Sequence, residues 1–133
     1  MRHVFHIETT AFQGRAPRPE AINKLIGGDE MADWVHTRLT ENGYSCTDIW
    51  QEAHGSNFNV EHDGRRYLVV SSCDFDDLGE PAVIHIVQLA HERSLPDKLL
   101  GRNKTPVPDP LLEGLRSILS VHSAFRLTAD QSA

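Results

Sequence analysis

The sequence predicts an α+β fold: a two-layer sandwich in which a four-stranded antiparallel meander is covered on one face by helices before and after it. Three observations carry this. Amphipathic helical periodicity occurs near both ends, over residues 29–42 and 109–125. Between them lie segments rich in Val, Ile, Tyr, Phe and Thr, the residues that favour strands. Within that interval Asp63-Gly64 is the strongest short hairpin signal in the chain.

Taken in order, Val4-Phe5-His6-Ile7 suggests a short strand, and GRAPRPE reads as a loop. Pro19 suits the start of a short helix, Glu20 to Ile26, closed by Gly27-Gly28. Asp29 is a candidate N-cap for a helix to Asn42 with Gly43 just past its end. At 100° per residue Met31, Trp34, Val35 and Leu39 share one side and His36 falls toward the other. Tyr44 to Glu52 favours strand, and Ala53 to Asn57 favours a turn or bulge.

Phe58 to His62 and Arg65 to Cys73 form the hairpin, Asp74 to Pro81 an acidic connection, and Ala82 to Ala90 a fourth strand. Residues 91–109 read as a long Pro-containing loop, which is functional, mobile, or conceals a helical turn. Asp109-Pro110 starts the last helix, whose Leu111, Leu115, Ile118, Leu119, His122 and Phe125 share a side; residues 128–133 read as a loose tail.

A two-residue turn at 63 and 64 sets the pairing: His62 opposite Arg65, Val60 opposite Tyr67, Phe58 opposite Val69, and Glu61 opposite Arg66. Successive strand residues point to opposite faces, so Phe58, Val60, Tyr67 and Val69 form one face. In the last strand Val83, His85, Val87 and Leu89 match them as the core set. The opposite face then carries a second apolar group, Leu68, Val70, Ile84 and Ile86, flanked by Asn57, Asn59, Glu61 and Arg66. An apolar patch with a polar rim marks an interaction site when nothing covers it. Residues 1–10, residues 91–109 and another molecule are the three candidate covers.

The 133 residues suffice for a single domain, 1–133, with one core. A net charge of −6 opposes non-specific nucleic-acid binding and argues against an electrostatic anchor on anionic lipid. Two cysteines, Cys46 and Cys73, are too few for a disulfide scaffold, and no apolar run reaches membrane-spanning length. The expectation is a cytoplasmic protein.

Chemistry-bearing residues are sparse. His85 pairs with Cys73 or Ser71 if the last hairpin has the right register, and such a group would suit a small ligand or enzyme pocket. Lys98, Arg102 and Lys104 concentrate positive charge in the long loop and offer an anion site. The stretch CDFDDLGE lacks calcium-loop spacing, since Leu78 and His85 stand where ligands belong. His91-Glu92 lacks a second histidine four residues on, and there is no P-loop, G-x-S-x-G or C-x-x-C. The sequence therefore assigns no catalytic residue, metal or cofactor. His3 and His6 lie near the terminus, His54 and His62 flank turns, and His122 suits a buried structural role.

Residues 34–73, with Gly43-Tyr44, the turn Glu52-Ala53-His54-Gly55 and the hairpin His62-Asp63-Gly64-Arg65, resemble small bacterial proteins of helix–meander–helix type. In that group the turn reads Glu-Asp-Trp-Gly. The resemblance implies a cytoplasmic bacterial protein, with no activity and no site residues carried over. The leading expectation is a non-catalytic binding or interaction domain, self-associating or holding a protein partner through Leu68, Val70, Ile84 and Ile86. The alternatives are a small enzyme or ligand carrier around His85, Ser71 and Cys73, and an inhibitor or immunity-type protein presenting its acidic 74–80 connection.

Overall fold

The computed structural model describes residues 1–12, 26–74 and 83–133. The fold is α+β, built on one antiparallel sheet. In chain order the strands are β1 Arg2–Thr9, β2 Ile26–Gly27, β3 Ser45–Cys46, β4 Trp50–Glu52, β5 Gly55–His62, β6 Arg65–Asp74, β7 Val83–Glu92 and β8 Phe125–Ser132. Helix α1 spans Asp29–Glu41, α2 Leu95–Leu100 and α3 Pro110–Val121. Among the described residues the sheet has eight strands in the order β3-β5-β6-β7-β1-β8, with β2 paired to β6 and β4 to β5.

The β5–β6 hairpin has the register its turn dictates. Asp63 and Gly64 both take positive φ, 51° and 74°, the conformation a two-residue turn needs to match strand twist. His62 faces Arg65, Val60 faces Tyr67 and Phe58 faces Val69. Glu61 also faces Arg66, but the Arg66 guanidinium turns instead to Asn59 Oδ1 at 2.8 Å and to Glu92 at 3.9 Å.

The sheet is larger than the expected four-stranded meander. Residues 2–9 lie inside the sheet as β1, between β7 and β8, rather than over its second face. Phe5 and Ile7 are fully buried while Val4 and His6 are half-buried, the alternation of an inserted strand. The expected tail forms β8. It is tied to α3 and β1 through Asp130, which accepts from Arg116 Nε at 2.6 Å and meets His3 Nε2 at 2.5 Å. Helix α3 accordingly stops at Val121, and Phe125 belongs to the strand.

The expected strand 44–52 is split into β3 and β4. Between them the Thr47 hydroxyl accepts the Asn59 N–H that a ladder carbonyl would otherwise take. The expected 20–26 helix lies outside the described residues except Ile26, which is in β2; the acidic connection lies outside them except Asp74, which ends β6. The loop 91–109 contains α2, and β7 runs on to Glu92.

Helices α1 and α3 pack on one face. Met31, Val35 and Leu39 of α1 and Leu111, Leu115 and Leu119 of α3 meet Phe5, Ile7, Phe58, Val60, Tyr67, Val69, Val87 and Leu89. Asp109 caps α3, accepting from the Leu111 and Leu112 amides, and also accepts from the Tyr67 hydroxyl at 2.6 Å. One buried carboxylate thus anchors α3 to the sheet. Helix α1 has Gly28 rather than Asp29 in the cap position, with φ 111°.

Candidate functional site

The two faces of the sheet differ. Of the three described helices, α1 and α3 cover the core face and α2 buries no residue. No described helix buries side chains against the opposite face. Pairing of β6 with β7 sets Leu68 against Ala90, Val70 against Gln88 and Ser72 against Ile86; β1 adds Val4 beside Gln88 and His6 beside Ile86. The apolar group therefore forms a diagonal stripe, Leu68, Val70, Ile86 and Ile84, with Val4 at its flank. His85, Val87 and Leu89 point to the core, as the alternation requires.

Leu68, Ile84, Ile86 and Val4 are half-buried. Val70 is only 8% exposed and offers a partner little surface. The β5 side of this face is closed by polar side chains: Asn59 donates to the Tyr67 carbonyl and to Glu92, and Asn57 meets His54. Around the stripe the charged residues are mixed. Arg66 stands with Glu61 and Glu92 at one end, Glu8 pairs with Arg126 at 3.7 Å at the other, and Arg2 donates to Gln88 along one side.

The second candidate group is brought together in part. Cys73 lies directly opposite His85, both on the core face, with Ile7 on the other side of the histidine. Facing pairs of this kind put Cβ atoms about 4.5–5.5 Å apart. His85 is 3% exposed, and neither ring nitrogen has a hydrogen-bond partner among the described residues. Burial holds its pKa below the ordinary histidine value, offset in part by the nearby Phe12 backbone, and the Phe12 ring stands edge-on to it at 6.0 Å. Ser71 is otherwise engaged: its hydroxyl donates to the Gly28 carbonyl at 2.9 Å. Among the described residues no three His, Cys, Asp or Glu side chains group as metal ligands.

Lys98, Arg102 and Lys104 lie on and after α2. Arg102 is drawn to Asp97 at 3.7 Å, and Lys98 and Lys104 are exposed. Two arrangements were not legible beforehand. Trp34, His122 and Phe125 form an aromatic cluster, with His122 stacked on Phe125 at 4.1 Å. They adjoin a shallow cavity of about 470 Å³ between α1 and α3, to which Arg38, Asn42, Ser117 and Val121 contribute. Second, His91 stacks on Tyr67 and meets the Thr105 hydroxyl at 2.5 Å, pinning the end of the 91–109 segment to the core. His3, although near the terminus, is 8% exposed.

No helix among the described residues is long and apolar enough to cross a membrane. Comparison of the chain with protein-family models, with curated proteins and with solved structures finds no match.

Proposed function

We propose that the chain is a non-catalytic interaction domain that self-associates through the helix-free face of its sheet. The observation that supports this is the apolar stripe Leu68, Ile84 and Ile86, half-buried on a face that no described helix covers. A second copy is the occupant whose chemistry matches the rim. Among the side chains that the structure describes, three cations, Arg2, Arg66 and Arg126, and three carboxylates, Glu8, Glu61 and Glu92, share this face. A two-fold contact repeats the same surface on both partners, so a rim balanced in sign pairs with itself, whereas a rim of one sign repels itself.

Sedimentation equilibrium over a wide concentration range tests this. The expected result is a monomer–dimer equilibrium that weakens at least tenfold in Ile86→Asp. A strict monomer at every concentration would refute it.

The unpartnered His85 beside Cys73 supports a second reading, a small ligand pocket with its polar groups inside the core face. Stoichiometric metal in protein purified without chelator, or unusually fast alkylation of Cys73, is the result it requires. An inert, metal-free protein removes it.

A further inference from the structure

The segment after β7 is built inside out. Helix α2 has six residues, too few to be stable alone. In most short helices on a protein surface the apolar side chains face inward. Here Leu95, Leu99 and Leu100 are 67%, 75% and 67% exposed, and Val107 beyond the helix is 96% exposed. The side chain turned in is a carboxylate, Asp97, whose side chain is 23% exposed.

Polar bonds hold this arrangement. Ser94 caps the helix by accepting from the Asp97 amide, and Gly101 closes it with φ 65°. Arg93 reaches up from the end of the sheet to donate to the carbonyls of Asp97 and Arg102, at 3.1 and 2.6 Å. Thr105, bonded to His91, fixes the far end. The leucines contribute nothing to this framework. Their exposure is set by the hydrogen bonds beneath them, so the lobe is ordered before it meets anything.

Charge singles out the same lobe. Residues 93–107 hold four cations, Arg93, Lys98, Arg102 and Lys104, against Asp97 alone, a local charge of +3. The whole chain is −6, so the remainder carries −9. Net charge argues against an anionic surface, but exposed charges act over a screening length of about 8–10 Å. A surface touched by the lobe meets the lobe's charge first.

The occupant follows from shape and charge. A protein partner packs against such a surface only with a matching shape at each contact. Leu95, Leu99, Leu100 and Val107 protrude separately, 67–96% exposed, beside an excess of cations. They suit a soft apolar phase, which accepts each without complementary shape, with cations at headgroup level.

We infer that the α2 lobe is a reversible docking site for an anionic lipid surface, with Leu95, Leu99, Leu100 and Val107 entering the interface and Lys98, Arg102 and Lys104 facing the headgroups. Attachment of this kind lays the protein on the bilayer without crossing it. Each basic side chain near such a surface is worth about fivefold in affinity, so the binding falls as salt rises.

Vesicle co-flotation of the full chain tests this, using phosphatidylcholine with about one-third phosphatidylglycerol against phosphatidylcholine alone. Wild type is expected to float with the anionic vesicles at low salt and remain below with the neutral ones. Leu99→Ser combined with Leu100→Ser, and separately Lys98→Glu with Lys104→Glu, are each expected to reduce that binding at least tenfold. Because these residues are exposed, the circular dichroism of the variants should match wild type. A gain-of-signal variant guards against misfolding: Leu99→Trp should show a blue-shifted emission when anionic vesicles are added and none with neutral ones. No flotation of wild type at low salt, equal flotation with neutral vesicles, or binding indifferent to both pairs of substitutions overturns the inference. So does a self-associated state that the leucine pair abolishes, since the lobe then belongs to a protein contact.

Discussion

Three buried residues carry the most direct tests at the scale of single side chains. Leu115 is fully buried between α3 and the sheet, and Leu115→Ala should cost about 2–5 kcal/mol in chemical denaturation, since the cavity it leaves adds to the lost burial. Tyr67 donates to Asp109, and burial together with that bond raises its pKa to about 12. A phenol protonated more firmly in the fold than in the unfolded chain, where its pKa is about 10, stabilises the fold below pH 10 and loses that contribution as pH rises toward 12. Tyr67→Phe should abolish this alkaline loss while lowering stability at neutral pH by about 1–3 kcal/mol, because Asp109 is left short of a donor. His85 has the opposite sense. Its folded pKa is depressed, so the unfolded chain takes up the proton first and stability falls as pH drops below about 6.5. His85→Leu should flatten the denaturation midpoint between pH 7 and 5 if this histidine sets the slope, and an unchanged slope would assign the effect to other groups. His85 stands out in the sequence because Cys73 or Ser71 can face it across the last hairpin. Its surroundings, Phe12, Ile7 and Cys73, come from three separate segments of the chain.

At the scale of elements, what could be read ahead was what is local. The Asp63-Gly64 turn fixes seven facing pairs of β5 and β6 because both residues accept positive φ, and the apolar alternation fixes which side turns inward. Helix α3 was legible from Asp109-Pro110 and its leucine spacing, since capping and burial act within a few residues. A short strand at residues 4–7 was legible, but neither its place between β7 and β8 nor strand β8 was. Each is defined by partners far along the chain, Arg2 facing Ala90 and Thr9 facing Phe125, and the polar run Thr128 to Ser132 at a sheet edge looks the same as a solvated tail. Helix α2 was hidden because its leucines point outward, so no inward apolar period marks it. One element-level feature is stringent: Gly55, at φ 143°, passes so close to β6 that a Cβ would lie 2.3 Å from the Ser71 carbonyl oxygen, against backbone that cannot step aside. Gly55→Ala should therefore destabilise by more than about 1 kcal/mol, the ordinary cost of strained backbone, with thermal unfolding as the readout. A loss under that value would show that β5 can shift away from β6.

For the whole molecule, the sheet's two faces differ: one holds α1 and α3, the other presents a half-buried apolar stripe flanked by cations and carboxylates. The strand register and the alternation were readable in the sequence and place Leu68, Ile84 and Ile86 on the second face. What the sequence could not show was how far Val70 is withdrawn, at 8% exposure, beside Asn57 on the neighbouring strand. Alkylation kinetics of a cysteine placed at position 86, with Cys46 and Cys73 replaced by alanine, test the self-association of this face directly. The rate should be fast in dilute protein and fall severalfold as concentration rises into the range where sedimentation detects the dimer. A rate that does not change with concentration would contradict the account: uniformly slow if the chain covers its own face, uniformly fast if nothing docks there.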